Sequence, residues 1–358
     1  MKISSEKISQ LKKFTTDYVL ILLASLIIGA LCGVIGALFV KSINYVTELR
    51  SENNWLVYLL PLGGIVTVIL YKLTHNEGVG TLKVFESVKG ETRIPVLLLP
   101  VIFISTVITH LFGGSAGKEG AALQIGGAVS EAVSKITRAD DCKRTVYTVC
   151  GMAALFSAAF GTPFGACVFA LEVVFVKKTM LKAAIPALVS SLIANVVSVS
   201  LGAPQEKFEI GFLPDFGFAV FGKTLLVSAV VAAVSMIFCY LLHGSEKLFE
   251  KLLKNSYVRI IAGGCAVIIL TLVFGTDYNG GGLGIIERIF EDGIVKPEWF
   301  LLKIIFTVIT VSSGFKGGEI VPSLFIGSTL GGTLAQFSGL PVGYSAALGM
   351  IAFFSGVT

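Results

Sequence analysis

GGSAGKEGAALQIGG, residues 113–127, is the stretch from which the rest of the chain can be read. It is a glycine-rich turn running into an apolar helix whose first turn carries one carboxylate, Glu119. The first turn of a helix leaves N–H groups unpaired and carries roughly half a positive charge, so an anion or a carboxylate is well held there. A charge inside an apolar chain costs ~2.5–3.5 kcal/mol on insertion scales, and such residues are kept for function.

Outward from that turn, composition sets the class. Of 358 residues 54% are hydrophobic and only 14% charged, with a mean hydropathy of +0.86. A soluble domain has roughly 45–50% apolar and 25% charged residues, so the chain reads as all-α and polytopic in a membrane. Apolar runs near the ~20 residues that cross a bilayer lie at Tyr18–Val40, Trp55–Leu73, Pro95–Phe112, Val146–Phe160, Leu181–Val199, Phe218–Leu242 and Val258–Phe274. The pieces after Glu119, Phe164 and Glu319 are half-spans broken by glycine and proline, which lipid depth tolerates only where backbone is buried in protein or lines a cavity. Gly29, Gly33 and Gly36 in the first span sit at close-packing spacing. The net charge of +5 is modest and offers no surface for nucleic acid. Lys2, Lys7, Lys12 and Lys13 ahead of the first span place the N-terminus in the cytoplasm by the positive-inside rule. The six cysteines lack CxxC spacing and read as reduced small hydrophobes, with no metal or cofactor implied.

The chain repeats itself. Gly114, Gly117 and Glu119 recur 200 residues later as Gly314, Gly317 and Glu319. Gly151-Met-Ala-Ala-Leu-Phe-Ser157 recurs as Gly349-Met-Ile-Ala-Phe-Phe-Ser355, and Gly78-Val-Gly80 as Gly282-Leu-Gly284. The expected organisation is an N-terminal tail or surface helix (1–17), a first membrane repeat (18–200), a polar linker (201–217) and a second repeat (218–358) that is incomplete. Paired repeats with broken helices at matching positions predict a midplane transport site where half-helix N-termini face an anion.

These residues carry a likeness. Gly117-Lys-Glu-Gly120 resembles the GREG or GKEG signature of the CLC chloride channels and anion/proton exchangers, and Gly318-Glu-Ile-Val-Pro322 resembles their GxFxP segment. The resemblance runs in order over nearly the whole chain. It implies an inverted-repeat bundle of tilted and broken helices, a homodimer with one pore per subunit, and no enzymatic activity. Relative to the family, the chain departs at three positions. Val79 stands where the usual serine of the GSGIP motif would be, Val173 stands where exchangers carry an internal proton-relay glutamate, and Glu319 directly follows Gly318. That combination resembles the fluoride/proton antiporter clade, which commonly has methionine at the Val79 position. The second repeat stops at Thr358, three residues after Ser355. By the likeness, the chain is C-terminally truncated and lacks a final helix whose tyrosine lines the anion site.

The mechanism implied is competition at one locus. Ionised Glu119 occupies an anion position at the helix tips, and its protonation frees that position for a halide. Glu319 is the candidate second proton carrier. The expected anion contacts are Gly78, Val79, Gly80, Gly117, Lys118, Gly120, Gly318, Ile320 and Val321. The expected function is proton-coupled halide antiport, with fluoride export favoured over chloride and a passive chloride channel as the rival. The expected setting is a bacterial-type plasma membrane, with halide, proton and lipid as partners.

Other readings stand beside these. Glu119 and Glu319 could be plain helix caps matched to the macrodipole, Lys118 and Lys316 plain loop charges, and Glu172 structural. Gly113-Gly-Ser-Ala-Gly117 fits the loose GxSxG pattern of a nucleophile, which with His110 would suggest an intramembrane protease. Gly217 to Thr224 fits the spacing of a phosphate-binding loop, but its intervening residues are bulky and apolar and no strand precedes it.

Overall fold

The computed structural model describes residues 5–173 and 179–357, with residues 5–14 and 179–181 described in their backbone alone. The described chain is helical: α1 (Ser5–Glu52), α2 (Leu60–Leu73), α3 (Thr81–Lys89), α4 (Leu98–Leu111), α5 (Glu119–Ile136), α6 (Asp141–Phe160), α7 (Pro163–Glu172), α8 (Thr179–Ser200), α9 (Phe218–Leu252), α10 (Ser256–Phe274), α11 (Leu283–Asp292), α12 (Glu298–Ser312), α13 (Ile320–Ser338) and α14 (Val342–Val357). Among the described residues, six helical stretches are long and apolar enough to cross a membrane: Thr15–Glu52, Asn54–Leu73, Lys182–Ser200, Phe218–Leu252, Ser256–Phe274 and Ile320–Ser338. Residues 5–17 continue into the first span without a break, since α1 starts at Ser5.

Two compact units form, each from interleaved segments. One comprises residues 1–41, 76–102 and 122–206, the other residues 42–75, 103–121 and 207–358. In the first, the small residues of α1 let backbones meet. A Cβ on Gly29 would lie 2.6 Å from the Ser190 carbonyl, and one on Gly36 would lie 2.5 Å from the Ala158 Cβ. These are the positions whose spacing announced close packing. Ser157 and Ser190 donate their hydroxyls across helices to the carbonyls of Ser191 (2.8 Å) and Cys150 (2.9 Å), so the buried hydroxyls are bonded.

In the second unit the core gathers Trp299, Phe306, Phe315 and Phe325 with Ile285, Ile286 and Ile289. A neighbouring cluster joins Phe238 and Phe353 to Val227, Val231 and Ile326. α9 shows the other face of such a protein, with Leu225 (62%) and Tyr240 (80%) exposed where lipid would lie.

The internal repeat has a structural counterpart inside each unit. α5 meets α6 where Gly126 touches the backbone of Gly151, and α13 meets α14 where Gly327 touches the backbone of Gly349. At none of these four positions is there room for a side chain. The repeated glycines are therefore contact points between helix backbones.

All six cysteines are free; Cys32, Cys150 and Cys167 are buried as small hydrophobes, whereas Cys239 is half-buried and Cys142 and Cys265 are exposed. Gly217 is the N-terminal cap of α9 in an all-helical setting, which removes the strand that a phosphate-binding loop requires.

Candidate functional site

The site builds outward from two turns of the second unit. After α4 the chain reverses at Gly113, whose φ of +82° belongs to glycine, and runs through Ser115 to Lys118 before α5 begins at Glu119. After α12 it reverses at Gly314 (φ +99°) and runs to Glu319, the residue capping α13. These turns meet main chain to main chain. The Gly117 amide donates to the Gly318 carbonyl at 2.6 Å, and the Gly318 amide donates to the Gly117 carbonyl at 2.9 Å.

That pairing sets where the carboxylate goes. Glu119 Oε1 accepts from the Val321 amide at 3.0 Å, so the side chain reaches the first turn of α13. The Val321 N–H is one of the unpaired donors that a helix start presents. The side chain of Glu119 is fully buried, and its second oxygen, Oε2, has no hydrogen-bond partner. A carboxylate thus sits at the tip of α13, where the backbone would equally receive an anion. Gly318 must be glycine here, because a Cβ would lie 2.7 Å from both Glu119 Oε2 and the Gly120 amide.

Bonds from α12 and α1 hold the turns rigid. Thr310 Oγ1 accepts from the Ser115 amide at 3.1 Å, and Thr307 shares a 3.0 Å hydroxyl bond with Ser115 Oγ. Arg50 donates to the His110 carbonyl, and His110 Nδ1 meets the Thr106 carbonyl at 2.9 Å. Ser115 and His110 therefore bond to other groups, and no nucleophile–base pair of a protease forms between them.

Lys303 was not singled out by the motif reading. It is fully buried in α12, and its ammonium donates to the carbonyls of Tyr278 (3.0 Å) and Gly280 (2.6 Å), 5.2 Å from the Phe325 ring centre. Its signal in sequence was there: a lone charge inside the apolar run Trp299–Val311. Such a charge survives only when it is bonded.

Of the expected site residues, Gly117, Lys118, Glu119, Gly120, Gly318, Glu319, Ile320 and Val321 come together at the paired turns of this unit. Lys118 is buried beside Glu119. Glu319 is partly exposed, makes no side-chain cap bond, and lies within electrostatic range of Glu119. Lys316 lies over the Tyr71 ring, 4.3 Å from its centre. Gly78, Val79 and Gly80 belong to the first unit. There Gly78 takes a φ of +70°, the Val79 amide donates to the Asn76 carbonyl at 3.0 Å, and Gly80 caps α3. Glu172 is exposed at the end of α7, and Val173 follows it.

Known proteins share this sequence pattern and fold. The family described as voltage gated chloride channel matches residues 62–358. A chloride/fluoride channel protein of Pseudomonas syringae pv. tomato is 30% identical over 339 residues, covering 92% of this chain and 75% of its own length. An H(+)/Cl(-) exchange transporter of Vibrio cholerae is 26% identical over 87% of this chain and 71% of its own. Among solved structures, a CLC-type fluoride/proton antiporter superposes with a TM-score of 0.89 at 31% identity, covering 99% of this chain and 88% of that one. A slow cyanobacterial Cl-/H+ antiporter shares the fold with a TM-score of 0.76 at 19% identity, covering 94% and 89% of the two chains.

Proposed function

The chain belongs to the voltage gated chloride channel family, and we propose that within it this protein is a proton-coupled halide antiporter that exports fluoride, with Glu119 as its gate. The observation that carries this reading is the bond from the Val321 amide to Glu119 Oε1. Ionised, the carboxylate takes the place of an anion at the start of α13. Protonated, it loses its charge and its claim on that amide, and a halide occupies the vacated donors. A proton and a halide then use one locus by turns, which couples their fluxes in opposite directions.

Gly117, Lys118, Gly120, Gly318, Ile320 and Val321 supply the walls and donors of the anion position. Glu319 carries protons beside Glu119, since two carboxylates near one anion path do not both ionise freely. Anion contacts at Gly78, Val79 and Gly80 rest on the sequence likeness alone. Fluoride is favoured because the relatives named for fluoride share more identity with this chain (30% and 31%) than the H(+)/Cl(-) exchange transporters do (24% to 27%). The working unit is a homodimer in a bacterial-type plasma membrane with the N-terminus in the cytoplasm.

The test is concentrative flux. In proteoliposomes an inward fluoride gradient should drive protons outward against their own gradient, read with a fluoride electrode and a pH electrode together. Fluoride movement with no proton movement identifies a passive channel instead. Coupled movement of chloride alone leaves the antiport reading standing and overturns the choice of ion.

A further inference from the structure

Among the described residues, Glu119 and Glu319 leave one buried carboxylate without a role. Glu131, on α5, is fully buried in the first unit. Its surroundings are built by three helices. α3 and α5 run in register: Gln124 Nε2 donates to Thr81 Oγ1 at 3.3 Å, and a Cβ on Gly127 would lie 3.1 Å from Val84. One turn further, that register brings Ser87 to the level of Ser130 and Glu131. α6 reaches the same level, because Thr145 Oγ1 donates to the Val88 carbonyl at 3.1 Å and Arg144 Nε lies 3.3 Å from Glu131 Oε2.

This junction is left polar and unbonded. Ser87 Oγ, both oxygens of Glu131, Ser134 Oγ and Arg144 Nε are buried with no hydrogen bond. Arg144 therefore balances the charge of Glu131 without lying in line to fix it. Buried polar atoms of this kind are satisfied by ordered water, and five of them on packed turns of α3, α5 and α6 would line a small hydrated chamber. A way to solvent adjoins it: Arg144 NH1 also lies 3.8 Å from Asp141, whose side chain is 90% exposed. Of the charged groups on the neighbouring turns, Lys83, Glu86, Lys89, Lys135, Asp141 and Arg144 all reach solvent at least in part, and Glu131 does not. The 2.7 Å ion pair of Lys143 with Asp17 ties this end of α6 to the start of the first span, so the chamber lies on the side of the N-terminus.

We propose that Glu131 is a further proton-carrying residue of the exchanger, loading from solution on the side of the N-terminus. A proton from hydronium adds to a Glu131 oxygen and leaves water behind, while Asp141 balances the freed Arg144. On release the proton returns to water and the Glu131–Arg144 pair re-forms. This role rests on the proton-coupled reading of the site above.

The full chain, reconstituted in liposomes, tests this by simultaneous fluoride and proton flux for wild type, Glu131→Gln, Glu131→Asp and Ser87→Val. Glu131→Gln should lower the ratio of proton to fluoride flux at least ten-fold, and Glu131→Asp should restore most of it. Ser87→Val, which dries the chamber and keeps the ion pair, should lower the ratio several-fold and decides the matter if Glu131→Gln does not fold. A wild-type ratio in Glu131→Gln, or in Ser87→Val where the former fails to fold, overturns the role of Glu131 and leaves antiport intact. A wild type that moves fluoride and no protons removes both.

Discussion

Gly117 and Gly318 hold each other by two backbone hydrogen bonds, 2.6 and 2.9 Å long, and this pairing brings the carboxylate that follows the first glycine to the helix that follows the second. The position of the proposed gate is therefore a matter of main-chain geometry at two turns.

Removing the charge of Glu119 should separate the two fluxes. In Glu119→Gln the side chain cannot alternate between ion and acid, so proton transport should fall at least twenty-fold while halide flux persists. Proteoliposomes carrying the variant, followed with paired fluoride and pH electrodes, check this. Uphill proton movement by Glu119→Gln would mean that some other group carries the coupling.

A methyl group on Gly318 should close the site. Its Cβ would lie 2.7 Å from Glu119 Oε2 and from the Gly120 amide; the carboxylate can swing aside, but the Gly120 backbone cannot yield without breaking the paired turns. Gly318→Ala should reduce halide flux ten-fold or more. Gly244→Ala, in α9 with nothing within 4 Å of the added Cβ, should transport as wild type and gain ~0.5–1 kcal/mol of helix stability.

Neutralising Lys303 should cost stability first. Lys303→Met leaves the buried carbonyls of Tyr278 and Gly280 without their donor, a loss of about 1–3 kcal/mol per unsatisfied group, partly offset because no charge is then buried. Thermal unfolding in detergent should show a lower midpoint. An unchanged midpoint would mean that the loop Tyr278–Gly282 is held by other contacts.

Side chains at the helix-crossing glycines should prevent folding. Gly327→Val and Gly126→Val each drive a branched group into the backbone of the facing helix, at Gly349 and Gly151 respectively. Both variants should be lost from the membrane fraction or run as aggregates on size exclusion. A monodisperse Gly327→Val would show that α13 and α14 can part.

Much of this was legible beforehand because it follows from local chemistry. Glu119 between glycines at a helix start, and its echo at Glu319, pointed to the two turns that the structure pairs. Gly29, Gly33 and Gly36 announced the packing of α1. What could not be read were contacts made across hundreds of residues. Nothing in the order of residues says that the amide receiving Glu119 belongs to Val321, or that Lys303 finds its acceptors in the loop before α11. Glu131 was hidden for another reason: a glutamate late in an amphipathic helix resembles an ordinary surface residue until α3 and α6 cover it.

The clasp of the two glycine turns has one more consequence. It is made wholly of peptide groups, which neither gain nor lose a proton across the physiological range and bear no side chain that a passing ion could push aside. Acidity, voltage or a change of halide therefore finds a doorframe that stays put, and under the proposed antiport one turnover would require only a few bond rotations within the Glu119 side chain.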